Sequence, residues 1–113
     1  MICEFGDVVV VPFPFVELPI AKRRPALVLS NAAFNGDNGQ TLLAMITTAS
    51  RTSWPSDIPL QEGKHTGLSH RSFLRWKVFT LPNDVILKHI GTIGSDDKAK
   101  VTAATGSIFP SRS

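Results

Sequence analysis

The run Val8-Val9-Val10-Val11-Pro12-Phe13-Pro14 constrains the fold of this chain more than any other feature. β-Branched side chains are stiff at χ1 and suit extended backbone. Gly6-Asp7 precedes the run, so residues 8–13 read as a buried strand. Pro12 and Pro14 end it, because neither donates to a sheet ladder. Extended through Val16, the apolar stretch is still far too short to span a bilayer. No membrane association is expected.

The remaining segments repeat this alternation of short β-prone runs and turn signals. Residues 17–24 read as a loop. Residues 25–30 (Pro-Ala-Leu-Val-Leu-Ser) form a second strand, with proline tolerated at its first position. Asn35-Gly36-Asp37-Asn38-Gly39 is a turn signal. Residues 41–48 form a third strand, 54–60 hold a short fourth, and Glu62-Gly63 opens the next turn. Residues 72–81 form a fifth strand, broken by Pro82-Asn83-Asp84, and 85–90 fit either a helical turn or a short strand. Ser95 is placed as the N-cap of a terminal helix, with Asp96 and Asp97 facing the positive end of its dipole. Val101, Ala104 and Ile108 then make one apolar stripe. The 113 residues suit one domain, spanning residues 1–113. Many short strands and one late helix predict a mainly β fold, a small, strongly curved antiparallel β-barrel.

Composition narrows the chemistry. Cys3 is the single cysteine, so an internal disulfide and a Cys-rich zinc site are both excluded. A reducing compartment fits, and Glu4 and Asp7 lie where a signal peptide is apolar, so a cytoplasmic location is expected. The carboxylates are scattered, and the one adjacent pair, Asp96-Asp97, is explained by the helix start. His65, His70 and His89 lack ligand spacing, so neither a metal nor another cofactor is expected. No phosphate-binding glycine loop and no G-x-S-x-G elbow is present.

The basic residues are more informative. With 12 Lys+Arg against 9 Asp+Glu, the formal charge of +3 permits a polyanionic partner. The excess concentrates in Lys22-Arg23-Arg24 and in Lys64, Arg71, Arg75, Lys77 and Lys88. Arginine forks suit phosphate, and aromatics such as Trp54, Phe73 and Trp76 suit unpaired bases. On composition alone, solvated surface charges and a Trp76 belonging to the core explain these residues more simply. Pro25 holds Arg24 in extended geometry at a loop-to-strand junction, and Thr47-Thr48-Ala49-Ser50 closes the third strand with hydroxyls. Neither feature is specific by itself.

Taken in order, the segments resemble the PemK/MazF family of toxins from type II toxin–antitoxin systems. The resemblance rests on Gly6-Asp7-Val8-Val9, Arg24-Pro25-Ala26-Leu27-Val28-Leu29-Ser30, Met45-Ile46-Thr47-Thr48, Gly67-Leu68, Ser72-Phe73-Leu74-Arg75, Phe79-Thr80-Leu81 and Ile90-Gly91-Thr92-Ile93. It covers almost the whole chain. It implies an SH3-like barrel of the PemK/MazF/CcdB type acting as a homodimer. It further implies a metal-independent endoribonuclease that cuts single-stranded RNA. A cognate antitoxin with a flexible acidic tail is implied as inhibitor, and DNA binding as the antitoxin complex.

By position, Arg24 resembles the family's catalytic arginine and Thr47 its partner threonine, while Thr48 and Arg75 resemble accessory RNA-site residues. Lys22, Arg23, Arg51 and Lys77 extend the RNA-binding set. Two departures stand out. Some relatives carry an aspartate two residues after the arginine matching Arg75; here that residue is Lys77, which removes a carboxylate base. Residues 17–23 also lack the Gly-x-Glu-Gln pattern of many relatives, so sequence preference does not transfer. His70 is an alternative base without a defined partner. Two other readings stay open: a non-enzymatic toxin resembling the gyrase poisons of the CcdB type, and a degenerate paralogue that only binds antitoxin or nucleic acid.

Overall fold

A computed structural model describes residues 1–13, 22–48 and 51–110. Its strands are β1 (Asp7–Phe13), β2 (Lys22–Val28), β3 (Gln40–Thr47), β4 (Ile58–Pro59), β5 (Phe73–Pro82) and β6 (Lys88–Thr92). Two helices join them, α1 (Ala32–Asn38) and α2 (Ser95–Ile108). All six strands lie in one antiparallel sheet of order β4-β5-β3-β2-β1-β6, curled into a half-barrel. The expected mainly β architecture with a late helix is what forms. None of the described helices is long and apolar enough to cross a membrane.

Alternation divides the sheet into two core layers. Val9, Val11, Ala26, Val28, Leu43 and Leu81 pack with Cys3 and Ile86 on one side. Val8, Leu27, Ala44, Ile46 and Leu74 pack with Leu60, Ile93 and Val101 of α2 on the other. Trp76 packs against this second layer, as the simpler reading of that residue required.

Several boundaries differ from expectation. Residues 17–21 of the expected loop lie outside the described residues. Its last residues, Lys22, Arg23 and Arg24, are strand. Pro25 therefore sits inside β2, where β1 alone flanks it; the ladder to β3 begins only at Ala26. The Asn/Gly segment at 35–39 is the second half of α1 and its cap. Asn31 accepts from the Phe34 amide at 2.8 Å at one end, and Gly39, left-handed at φ 65°, closes the other. Buried Asn35 donates to the Cys3 carbonyl at 2.8 Å. These polar bonds sustain a helix whose composition is poor for one.

The fourth strand shrinks to two residues, and Trp54 is exposed in the turn before it. The ambiguous stretch 85–90 divides: Asn83–Val85 is a 3-10 turn, and β6 begins at Lys88. Gly94, not Ser95, is the N-cap of α2, with no side-chain cap bond. Asp97 turns inward instead and accepts from the Gln61 amide at 2.8 Å. The α2 stripe docks through Val101 alone at full burial, while Ile108 is 45% exposed.

Candidate functional site

The ladder between β2 and β3 contains only Ala26↔Met45, Leu27↔Ala44 and Val28↔Leu43. Pro25 has no N–H to carry it further. Beyond this point β2 stays with β1, and β3 stays with β5. Continuing the register by two residues sets Arg24 opposite Thr47 across the gap. Both then project on the face that carries Val11 and Phe13, since Arg24 pairs with Val11 and Lys22 with Phe13. The resulting open cleft, about 270 Å³, is lined by Phe13, Arg24, Met45, Ile46, Thr47, Arg75 and Lys77.

A bulge in β5 completes it. Ala44 faces Val78, but Met45 faces Arg75, so Trp76 and Lys77 are extra residues on β5. Such an insertion re-aims side chains on the bulged strand. Trp76 goes into the core layer, and Lys77 lines the cleft. Arg24 and Lys77 are exposed, Thr47 is half-buried, and Arg24 takes part in no ion pair among the described residues.

Arg75 is differently placed. Its Nε and Nη2 donate to Asp57 Oδ1 and Oδ2 at 3.1 and 2.9 Å. Nη1 and Nη2 donate to the Thr52 hydroxyl and carbonyl, both at 3.0 Å. The guanidinium also lies 5.5 Å from the Trp54 ring centroid. Its hydrogen bonds to Asp57 hold that carboxyl below the ordinary carboxylate range and push Arg75 further up. Arg75 thus ties the segment from Thr52 to Asp57 onto β5 while keeping one side in the cleft.

Among the candidate residues, the fold brings Arg24, Thr47, Arg75 and Lys77 into this one cleft. Thr48 lines an adjacent pocket on the far side of the Arg75–Asp57 pair. Lys22, Arg23 and Arg51 are exposed and line neither recess; alternation turns Arg23 to the opposite face from Arg24. His70 lines a separate depression with Glu62, Leu68, Ser69 and Arg71. Sequence reasoning missed Phe13 and Asp57. Pro55-Ser56-Asp57 carries a turn signal, but nothing local announces the pairing with Arg75, eighteen residues away. Among the described residues, no group of three His, Cys, Asp or Glu side chains is arranged to hold a metal ion.

Solved structures share this architecture. MazF from Deinococcus radiodurans superposes with a TM-score of 0.74 at 23% identity, covering 96% of both chains. A MazE–MazF complex from the same organism gives 0.75 at 26% identity, again over 96% of both chains. A mycobacterial endoribonuclease in complex with its cognate antitoxin gives 0.74 at 16% identity over 98% of both. No curated protein sequence matches. Residues 4–109 match the sequence profile of the PemK-like, MazF-like toxins of type II toxin–antitoxin systems. With that match spanning nearly its whole length, and with its strands arranged as in MazF, the chain belongs to the PemK-like, MazF-like toxin family.

Proposed function

We propose that this toxin is an endoribonuclease that cleaves single-stranded RNA without a metal, by attack of a 2′-hydroxyl on the adjacent phosphorus. One observation carries the reading: Arg24, Thr47 and Lys77 converge on one cleft at the β2–β3 opening. In the reaction an O2′–P bond forms and the P–O5′ bond breaks. The 2′-hydroxyl loses a proton, and O5′ gains one. The products carry a 2′,3′-cyclic phosphate and a 5′-hydroxyl.

Among the described residues the cleft lining holds no carboxylate, and the side chains it does present act mainly electrostatically. Arg24 supplies fixed donors to the charge that develops on the phosphorane, or a proton to the leaving oxygen. Thr47 donates to a phosphate oxygen. Lys77 binds a neighbouring phosphate as a point charge. A guanidinium carries donors and no acceptor, which makes Arg24 a poor general base. Arg75 acts here chiefly by fixing the segment that borders the site. Thr48, Lys22, Arg23 and Arg51 belong to the RNA path beyond the cleft.

The reading extends to a cytoplasmic homodimer neutralised by an antitoxin whose acidic tail competes for the cationic cleft. The antitoxin complexes of the related structures support this partner. Primer extension on a long RNA, incubated with the purified protein in EDTA, tests the proposal. Discrete stops are expected, with 5′-hydroxyl ends. Loss of cleavage in chelator overturns metal independence. Absence of cleavage in both conditions overturns the nuclease and favours a toxin that acts through protein contacts.

A further inference from the structure

Beside the cleft lies a larger recess. This pocket, about 430 Å³, is lined by Thr48, Thr52, Ser53, Asp57, Pro59, Arg71 and Phe73. Its size falls within the range of small-ligand sites, roughly 300–1,000 Å³. It is also joined to the cleft by structure. Phe73 pairs with Thr47 across β3 and β5, and Thr48 follows Thr47 on the chain. The Arg75–Asp57 pair connects the two recesses, with Arg75 lining the cleft and Asp57 lining the pocket.

The lining is amphipathic. Phe73 is half-buried and offers an aromatic surface, with the Arg71 guanidinium 5.6 Å from its centroid. Aromatic rings and guanidinium planes are the surfaces on which unpaired bases stack. Around the rim stand the polar side chains of Thr48, Thr52, Ser53 and Asp57. Asp57 has acceptor capacity left over. Among the described residues, Oδ2 accepts from Arg75 and from the Trp54 amide, whereas Oδ1 accepts the Arg75 Nε–H alone. An ionised carboxylate oxygen takes two hydrogen bonds, and Asp57 stays ionised because Arg75 depresses its pKa.

We propose that this pocket is a nucleobase site. It takes the unpaired base next to the cleaved phosphate, stacked against Phe73 and Arg71, with its amino group donating to Asp57 Oδ1. The proposal rests on the ribonuclease reading and adds a specificity element to it. Adenine, cytosine and guanine each carry an exocyclic amine, and uracil carries none. Uracil offers Asp57 only a ring N3–H flanked by two carbonyl oxygens that the carboxylate repels, so the pocket selects against it.

The test uses the intact protein and short RNAs with a single mapped cleavage site. The nucleotide on each side of the scissile phosphate is varied through the four bases and an abasic residue, and kcat/KM is measured for each. On one side, amino-bearing bases should be cleaved roughly tenfold or more faster than uracil, and the abasic RNA slowest. Asp57→Asn should bring the amino-base-to-uracil ratio close to one. Phe73→Leu should bring base and abasic substrates together while the protein still folds, checked by thermal melting. A purely structural role for either residue would lower all substrates in proportion and overturn the site. So would a wild-type enzyme that cleaves abasic and uracil substrates as fast as the others. That last comparison does not depend on a variant folding. If the wild type cleaves no RNA at all, the ribonuclease reading falls first and the base site with it.

Discussion

At the scale of single residues, the two arginines near the cleft do opposite work. Arg24 is exposed and ion-paired to nothing among the described residues, which leaves its fork available to phosphate. Arg24→Ala should leave folding intact and reduce RNA cleavage by roughly two to four orders of magnitude, measured as kcat/KM. Undiminished cleavage would remove Arg24 from the reaction. Arg75 has spent four donors on Asp57 and Thr52, so its loss is first a loss of loop order. The linkage has a definite sign. The folded-state pKa of Asp57 lies below its unfolded value, so the stabilisation is present at neutral pH and fades as pH falls through the folded pKa. Wild type should therefore be more stable than Asp57→Asn at pH 7. The gap should begin to close below the ordinary aspartate value of ~3.9 and vanish at lower pH. Urea melts of both proteins across that range measure it.

At the scale of elements, the cleft is the product of two irregularities in an otherwise regular sheet. Pro25 stops the β2–β3 ladder, and the β5 bulge places Lys77 beside the opening. Other elements carry their own tests. Gly106 lies in α2 with nothing within 4 Å of the position a Cβ would occupy. Gly106→Ala should raise stability by roughly 0.5–1 kcal/mol, because it removes only the entropic cost of a helical glycine. Gly67 is the contrasting case. Its φ of 70° is left-handed, and an added Cβ would clash with the Ile90 carbonyl oxygen where the 3-10 turn Lys64–Thr66 meets β6. Gly67→Ala should cost roughly 1–3 kcal/mol. Thermal unfolding of the two variants distinguishes a propensity effect from a packing one.

At the scale of the molecule, a formal charge of +3 is too small to explain tight binding of a polyanion by net attraction. What matters is where the free cations lie. Arg75 is neutralised by Asp57, so among the described residues Arg24 and Lys77 are the cleft's available charges. Each phosphate contact to a single strand contributes about −0.7 to the slope of log K against log salt. Lys77→Ala should reduce the magnitude of that slope by about 0.7 for a non-cleavable RNA, read by fluorescence titration. An unchanged slope would place Lys77 off the RNA path.

Much of this architecture was legible in the chain before folding was considered. The valine run and the Ala-Leu-Val block appear in β1 and β2, because burial on both sheet faces demands apolar β-prone residues there, and the 72–81 stretch appears as β5, which is only partly buried. The family motifs also name Arg24, Thr47 and Arg75, which the fold brings to one cleft. The misreadings share a cause. Asn35 and Gly39 favour turns locally, yet α1 forms because a buried amide and two caps sustain it. Ser95 resembles an N-cap, yet Gly94 takes that place and Asp97 turns into the core. By itself, then, the sequence determined most of the strands, the late helix and the family, and it named Arg24, Thr47, Arg75 and Lys77 as candidates, since periodicity and proline act over a few neighbours. Only the tertiary structure decided that Arg75 is held by Asp57, that Lys77 enters the cleft through a bulge, and that a second pocket opens beside it. Those outcomes depend on side chains brought together across strands, and no local pattern encodes that distance.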